Sequence, residues 1–123
     1  MLFMLTVMGD ADYEAGKPPP PAAVEAMEKL LAEQFAAGRL KHAGGLAPSA
    51  TGMKIRAREG RIAYIDGPFT EAKEIVGGYA FFEAPSKAEA VEFVTRFIDV
   101  HLDAGIANVD VELRQVMGGP DAD

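Results

Sequence analysis

Asp66, Glu71, Lys73, Glu74 and Tyr79 fall inside one short string, YIDGPFTEAKEIVGGY, running from Tyr64 to Tyr79. Asp66 at the end of a strand, partly buried beside a cavity, would have the raised pKa that suits a general base. Asp before Gly-Pro also closes a turn on its own backbone, and residue chemistry by itself favours that structural role. Glu71 and Lys73 do not share a helix face, whereas Asp66 or Thr70 reaches Lys73 or Glu74. Such a Lys–carboxylate cluster would hold an anionic substrate or orient a base. As a solvated turn its ion pair would be worth under about 1 kcal/mol, the commoner role for any one of these residues.

Histidine is the other proton carrier near neutral pH, and the chain has two, His42 and His101. His42 on a predicted strand is the candidate partner of Asp66, although a lone histidine is more often packed or solvated. His101, near the end of a predicted helix, complements the helix dipole. Arg56 and Lys73 are the candidate anchors for an anionic group, with Glu71 and Tyr79 beside them. Arg39, Lys41, Lys54, Arg56, Arg58 and Arg61 are six of the twelve basic residues, opposed in that stretch by Glu59. They would attract an acidic metabolite or partner, but as a solvated hairpin face they also guard against edge pairing, and that ordinary role is preferred.

Several chemistries find no motif. The paired glycines at 44–45 and 77–78 match neither a dinucleotide nor a phosphate-loop pattern, and there is no GxSxG elbow. Without cysteine, and without the spacing of an HExxH site, no metal and no cofactor are expected. Twelve Lys and Arg against nineteen Asp and Glu give a net charge of −7, the wrong sign for a nucleic-acid binder. The apolar opening Met1 to Met8 is too short to span a bilayer and lacks a basic lead, so a strand of a cytoplasmic protein is expected, with no membrane partner.

What must position these residues is one compact domain, since 123 residues make one core. Leu2 to Met8 and Tyr79 to Glu83 are apolar on both faces and need cover on both sides. A loop over Gly9 to Lys17 leads past Pro18–Pro21 into a helix with Val24, Met27, Leu30, Leu31 and Phe35 on its apolar stripe and Gly38 as its cap. Arg39 to Leu46 reads as a strand. Met53 to Arg58 and Arg61 to Ile65 form a hairpin about Glu59-Gly60. A helical turn over Thr70 to Val76, closed by Gly77-Gly78, precedes the Tyr79 strand. Ser86 and Glu89 make a capping box for a second helix whose stripe is Ala90, Val91, Val94, Phe97 and Ile98. Val109 to Leu113 is the last strand, and 118–123 a polar tail. With the hairpin set aside the order is βαββαβ, the ferredoxin-like α+β arrangement with both helices on one face of an antiparallel sheet. The apolar opposite face then calls for a second copy packed sheet to sheet.

DGPFTEAKEIVGGY, with AAGRLKHAGGLAPS before it, VELRQVM after it and Glu14-Ala15-Gly16 ahead of the first helix, resembles the YCII-related domain proteins, within them the DGPF subgroup, from Phe3 to Met117. The resemblance implies a single domain over 1–117 and a dimeric α+β barrel. It implies possible proton-transfer chemistry on small ring-degradation products, as in dehydrochlorinases, with a His–Asp pair as the site. In that branch the histidine lies on the first helix. This chain has none between Pro18 and Leu40. DGPF proteins are also often encoded beside extracytoplasmic-function sigma factors, which implies, as the alternative, a non-catalytic ligand-binding or partner protein.

Overall fold

The structure, a computed structural model, describes residues 1–69 and 74–118. The main sheet contains β1 (Leu2–Met8), β2 (Leu40–Gly45), β5 (Val76–Glu83) and β6 (Val111–Gln115), in the order β2-β5-β1-β6, every pair antiparallel. The two strands apolar on both faces, β1 and β5, are the central ones, as their composition requires. Helices α2 (Pro21–Ala36) and α3 (Lys87–Asp103) pack on each other and on the sheet, giving the ferredoxin-like α+β fold. Phe3 and Phe82 stack across β1 and β5 at 5.9 Å between centroids, and Phe82 meets Phe93 of α3 at 4.6 Å. Leu5, Leu30, Leu40, Ala90 and Phe97 complete this core.

The helices start and stop where local chemistry directs. Pro21 opens α2 with a missing N–H that no carbonyl needs, and Gly38 follows its end at φ +77°, the left-handed region glycine enters without strain. Ser86 Oγ accepts the Glu89 N–H at 3.2 Å and caps α3. The buried stripes differ from the expected ones by about one residue. In α2 they run through Ala23, Leu30 and Gln34, while Phe35 is 65% exposed. Gln34 is buried because its amide oxygen accepts from Arg39 Nε at 3.1 Å. In α3, Phe93 is inside and Val91 is exposed.

Three further boundaries shift. The expected Gly9–Lys17 loop contains one helical turn, α1 (Ala11–Glu14), capped by Asp10, whose carboxylate accepts the Tyr13 N–H at 2.8 Å. Val76 already belongs to β5, so Gly77 and Gly78 lie within a strand and do not close a helix; residues 70–73 of the expected helical turn lie outside the described residues. The last strand begins at Val111, not Val109.

The hairpin of β3 (Met53–Arg58) and β4 (Arg61–Asp66) is a separate two-stranded sheet turning at Glu59 and Gly60, both at positive φ. Its root is tied down by a clasp that unites three distant strings. Glu14 accepts from Ser49 twice, from its N–H at 2.8 Å and from its hydroxyl, and Ser49 Oγ in turn accepts the Phe69 N–H at 2.9 Å. Gly67 passes so close beneath that a Cβ there would fall 1.7 Å from the Ser49 carbonyl oxygen, and its N–H donates to Gly52 at 3.0 Å. The EAG, APS and GPF segments are therefore parts of one joint, with Ser49 buried at its centre.

Candidate active site

Towards the Gly45 end of the sheet the helix-facing side chains shrink. Ala43 stands opposite Ala80, and Gly45 opposite Gly78, where Leu40 and Phe82 stand opposite each other nearer the other end. Among the described residues no side chain fills the space above these four, and a cavity of about 1100 Å³ remains there. Its roof includes Met27 and Leu31 of α2 and Phe97 and His101 of α3; Tyr13, Pro18–Pro20 and the 106–110 loop border it. A cavity of this size, apolar with few polar groups, sits at the upper end of the roughly 300–1,000 Å³ range of small-molecule sites.

Most of its polar groups already have structural work. Tyr13 Oη shares its proton between the carbonyls of Leu46 and Ala47, each at 2.8 Å, and so fastens α1 against the end of β2. Burial, with the Glu14 carboxylate next in weight, holds the Tyr13 phenol above its ordinary pKa. Asp12 pairs with Lys17 at 3.3 Å, and Asp10 caps α1. His101 differs. Its Nδ1 lies 2.8 Å from the Phe97 carbonyl oxygen, which can only accept, so Nδ1 is the donor in that bond and Nε2 takes no part in it. The Phe97 ring, 4.8 Å from the imidazole centroid, supports it on one side.

Of the sequence-predicted site residues that the structure describes, Tyr79 alone lines this cavity. His42 and Tyr79 do meet, Nε2 to Oη at 2.8 Å, but on the sheet face opposite the helices. Tyr79 also borders the cavity. Asp66 and Arg56 are on the hairpin, Asp66 exposed and neither among the residues lining the cavity. Glu71 and Lys73 lie outside the described residues. Sequence reasoning read His101 as a helix-end charge. The available signal was its i, i+4 spacing from Phe97, which puts the imidazole on the core stripe of α3. Among the described residues no three His, Asp or Glu side chains converge as a metal-binding group, and no helix is long and apolar enough to cross a membrane.

Comparison with known proteins meets this geometry at the level of family and fold. The model of the YCII-related domain matches residues 1–112. The chain belongs to the YCII-related domain family. No curated protein matches the chain. Among solved structures, this YCII-related chain resembles a 5-chloro-2-hydroxyhydroquinone dehydrochlorinase from Burkholderia phenoliruptrix AC1100, in complex with 2,5-dihydroxybenzoquinone. The TM-score is 0.51 and the identity 21%, over 100% of both chains. At that identity the likeness is one of fold.

Proposed function

We propose that this YCII-related protein is a small-molecule enzyme of the acid–base type, a lyase or isomerase, working in the cavity between the helices and the sheet. The observation that carries the reading is His101, an imidazole on the cavity wall with one nitrogen pinned to a backbone carbonyl and the other outside that bond. In an elimination, Nε2 takes a proton from the substrate. The electron pair that held that proton forms the new double bond, and the leaving group departs with its own pair, the net loss being one molecule of acid. The flat floor of Ala43, Gly45, Gly78 and Ala80 suits a planar ring, and the family and the dehydrochlorinase fold likeness agree with such a substrate. Among the described residues the mouth carries Asp10, Asp12 and Asp110 against Lys17, so a neutral ring is favoured over the anionic metabolite that the hairpin cations had pointed to.

The protein works, on this reading, as a cytoplasmic homodimer joined through the sheet face opposite the helices, with His42 and Tyr79 in the contact and Asp66 serving the turn. The test is a screen of halogenated and hydroxylated ring compounds, 5-chloro-2-hydroxyhydroquinone first, with His101→Gln as control. The variant is expected to keep its circular dichroism and lose at least about 100-fold in kcat, the usual share of a general base. Turnover that survives His101→Gln within about twofold, while Asp66→Asn abolishes it, would transfer the role to Asp66.

A further inference from the structure

The β3–β4 hairpin is the part of the chain that the body does not hold. Among the described residues its strands pair only with each other, and all their residues are exposed except half-buried Arg56. The described ties are at its root, where Gly67 donates to Gly52 and Lys54 Nζ stands 4.5 Å from the Phe69 ring centroid. The register sorts the side chains into two unlike faces. Ile55 lies opposite Tyr64, and Ala57 opposite Ile62, making an apolar face with Met53 at its base. Ile55, Ile62 and Tyr64 are 64%, 66% and 67% exposed. The reverse face carries Lys54, Arg56, Arg58 and Arg61. A two-stranded hairpin is at best marginally stable alone in water, and a contiguous exposed apolar face marks an association surface.

The distribution of charge says what it associates with. Residues 53–66 hold four basic side chains and two acidic ones, Glu59 and Asp66, for a net +2. The rest of the chain holds the other eight basic and seventeen acidic residues, a net −9, which together restore the −7 of the whole. The cationic arm is thus attracted to the body of a second copy. That body has a receiving surface, the sheet face away from the helices, where Met4 and Phe81 lie opposite each other, both half-buried. A six-residue strand spans roughly 20 Å, enough to cross several strands of such a sheet.

We infer that the hairpin is an exchanged arm. Each copy lays the Ile55–Tyr64 face of its hairpin on the Met4–Phe81 face of the other, one arm given and one received about a two-fold axis. This rests on the homodimer proposed above and adds to it the segment that holds it together. The chain has no cysteine, so introduced ones report unambiguously. Sedimentation velocity is run on the wild type and on the double variant Ile55→Glu/Tyr64→Glu, and Tyr64→Cys protein is mixed with Phe81→Cys protein under mild oxidation. The wild type is expected to be a dimer at micromolar concentration. The double variant is expected to dissociate at least about 100-fold more readily with unchanged circular dichroism, and the mixture to give a disulfide-linked pair. A monomeric wild type would overturn the dimer and the arm together. A dimer indifferent to the double variant, with no Tyr64→Cys to Phe81→Cys product, would keep the dimer and sink the arm. If the double variant misfolds, the cross-link alone decides, and its absence counts against the arm.

Discussion

The two ends of the main sheet are made by the same strands and covered by the same pair of helices, yet one is solid and the other hollow. At the solid end Phe3, Phe82 and Phe93 fill the space between the layers. At the hollow end the cross-strand pairs Ala43–Ala80 and Gly45–Gly78 leave it open, and His101 sits on the roof. The lesson is that this cavity is made by leaving side chains out of a regular sheet. The strands stay paired through Gly44 and Gly45 opposite Tyr79 and Gly78, so the sheet's hydrogen-bonded frame survives where its filling does not, and stability is carried by one end while the other is free for a ligand.

The largest test of that division is Phe82→Ala. Phe82 is 2% exposed and in contact with two other rings, so truncation is expected to cost about 3–5 kcal/mol in chemical denaturation. A loss under about 1 kcal/mol would mean that the solid end is not the one holding the fold.

A middling effect is expected at Tyr13, which walls the hollow end. Its pKa is raised in the folded state, so the stability it contributes is fully present below the unfolded value of about 10 and is lost as pH rises through the higher folded value. The wild type is therefore expected to lose stability above about pH 10. Tyr13→Phe, which lacks the bonds to Leu46 and Ala47, is expected to start about 1 kcal/mol lower and to lose less there. Parallel alkaline curves for the two proteins would show that Tyr13 is not what fastens this wall.

The smallest effect on stability, and the sharpest on the comparison, is expected from Gly45→Val. A Cβ at Gly45 meets nothing within 4 Å, and valine suits a strand, so the change in stability should be under about 1 kcal/mol in either direction. Any ring compound bound by the wild type should nevertheless be excluded, as read by calorimetry. Unchanged affinity would place the ligand elsewhere.

What the sequence made legible follows the same line. The β1 strand, the Glu59-Gly60 turn and the Ser86 cap are local signals, complete within a few residues, and the structure has all three. The α1 turn was missed because four residues carry no periodicity. It is held by bonds from Tyr13 and Glu14 to residues more than thirty positions away. The cavity was not legible because glycine and alanine read as weak strand positions until pairing brings Gly45 opposite Gly78. His101 was set aside as a helix-end charge, since only the tertiary fold puts a hollow beneath it. The string that drew most notice, Asp66 to Phe69, was legible as a family mark and less so as chemistry, because its glycine and phenylalanine do their work against Ser49.

That joint bears on how such signatures should be interpreted. Ser49 needs a carboxylate from Glu14, a bare backbone at Gly67 and an amide from Phe69. A change at any one leaves the others without a partner or without room. Nothing in that set faces the hollow. In this chain the mark therefore belongs to the frame and the placement of its loops, and the position of His101 lies outside that joint.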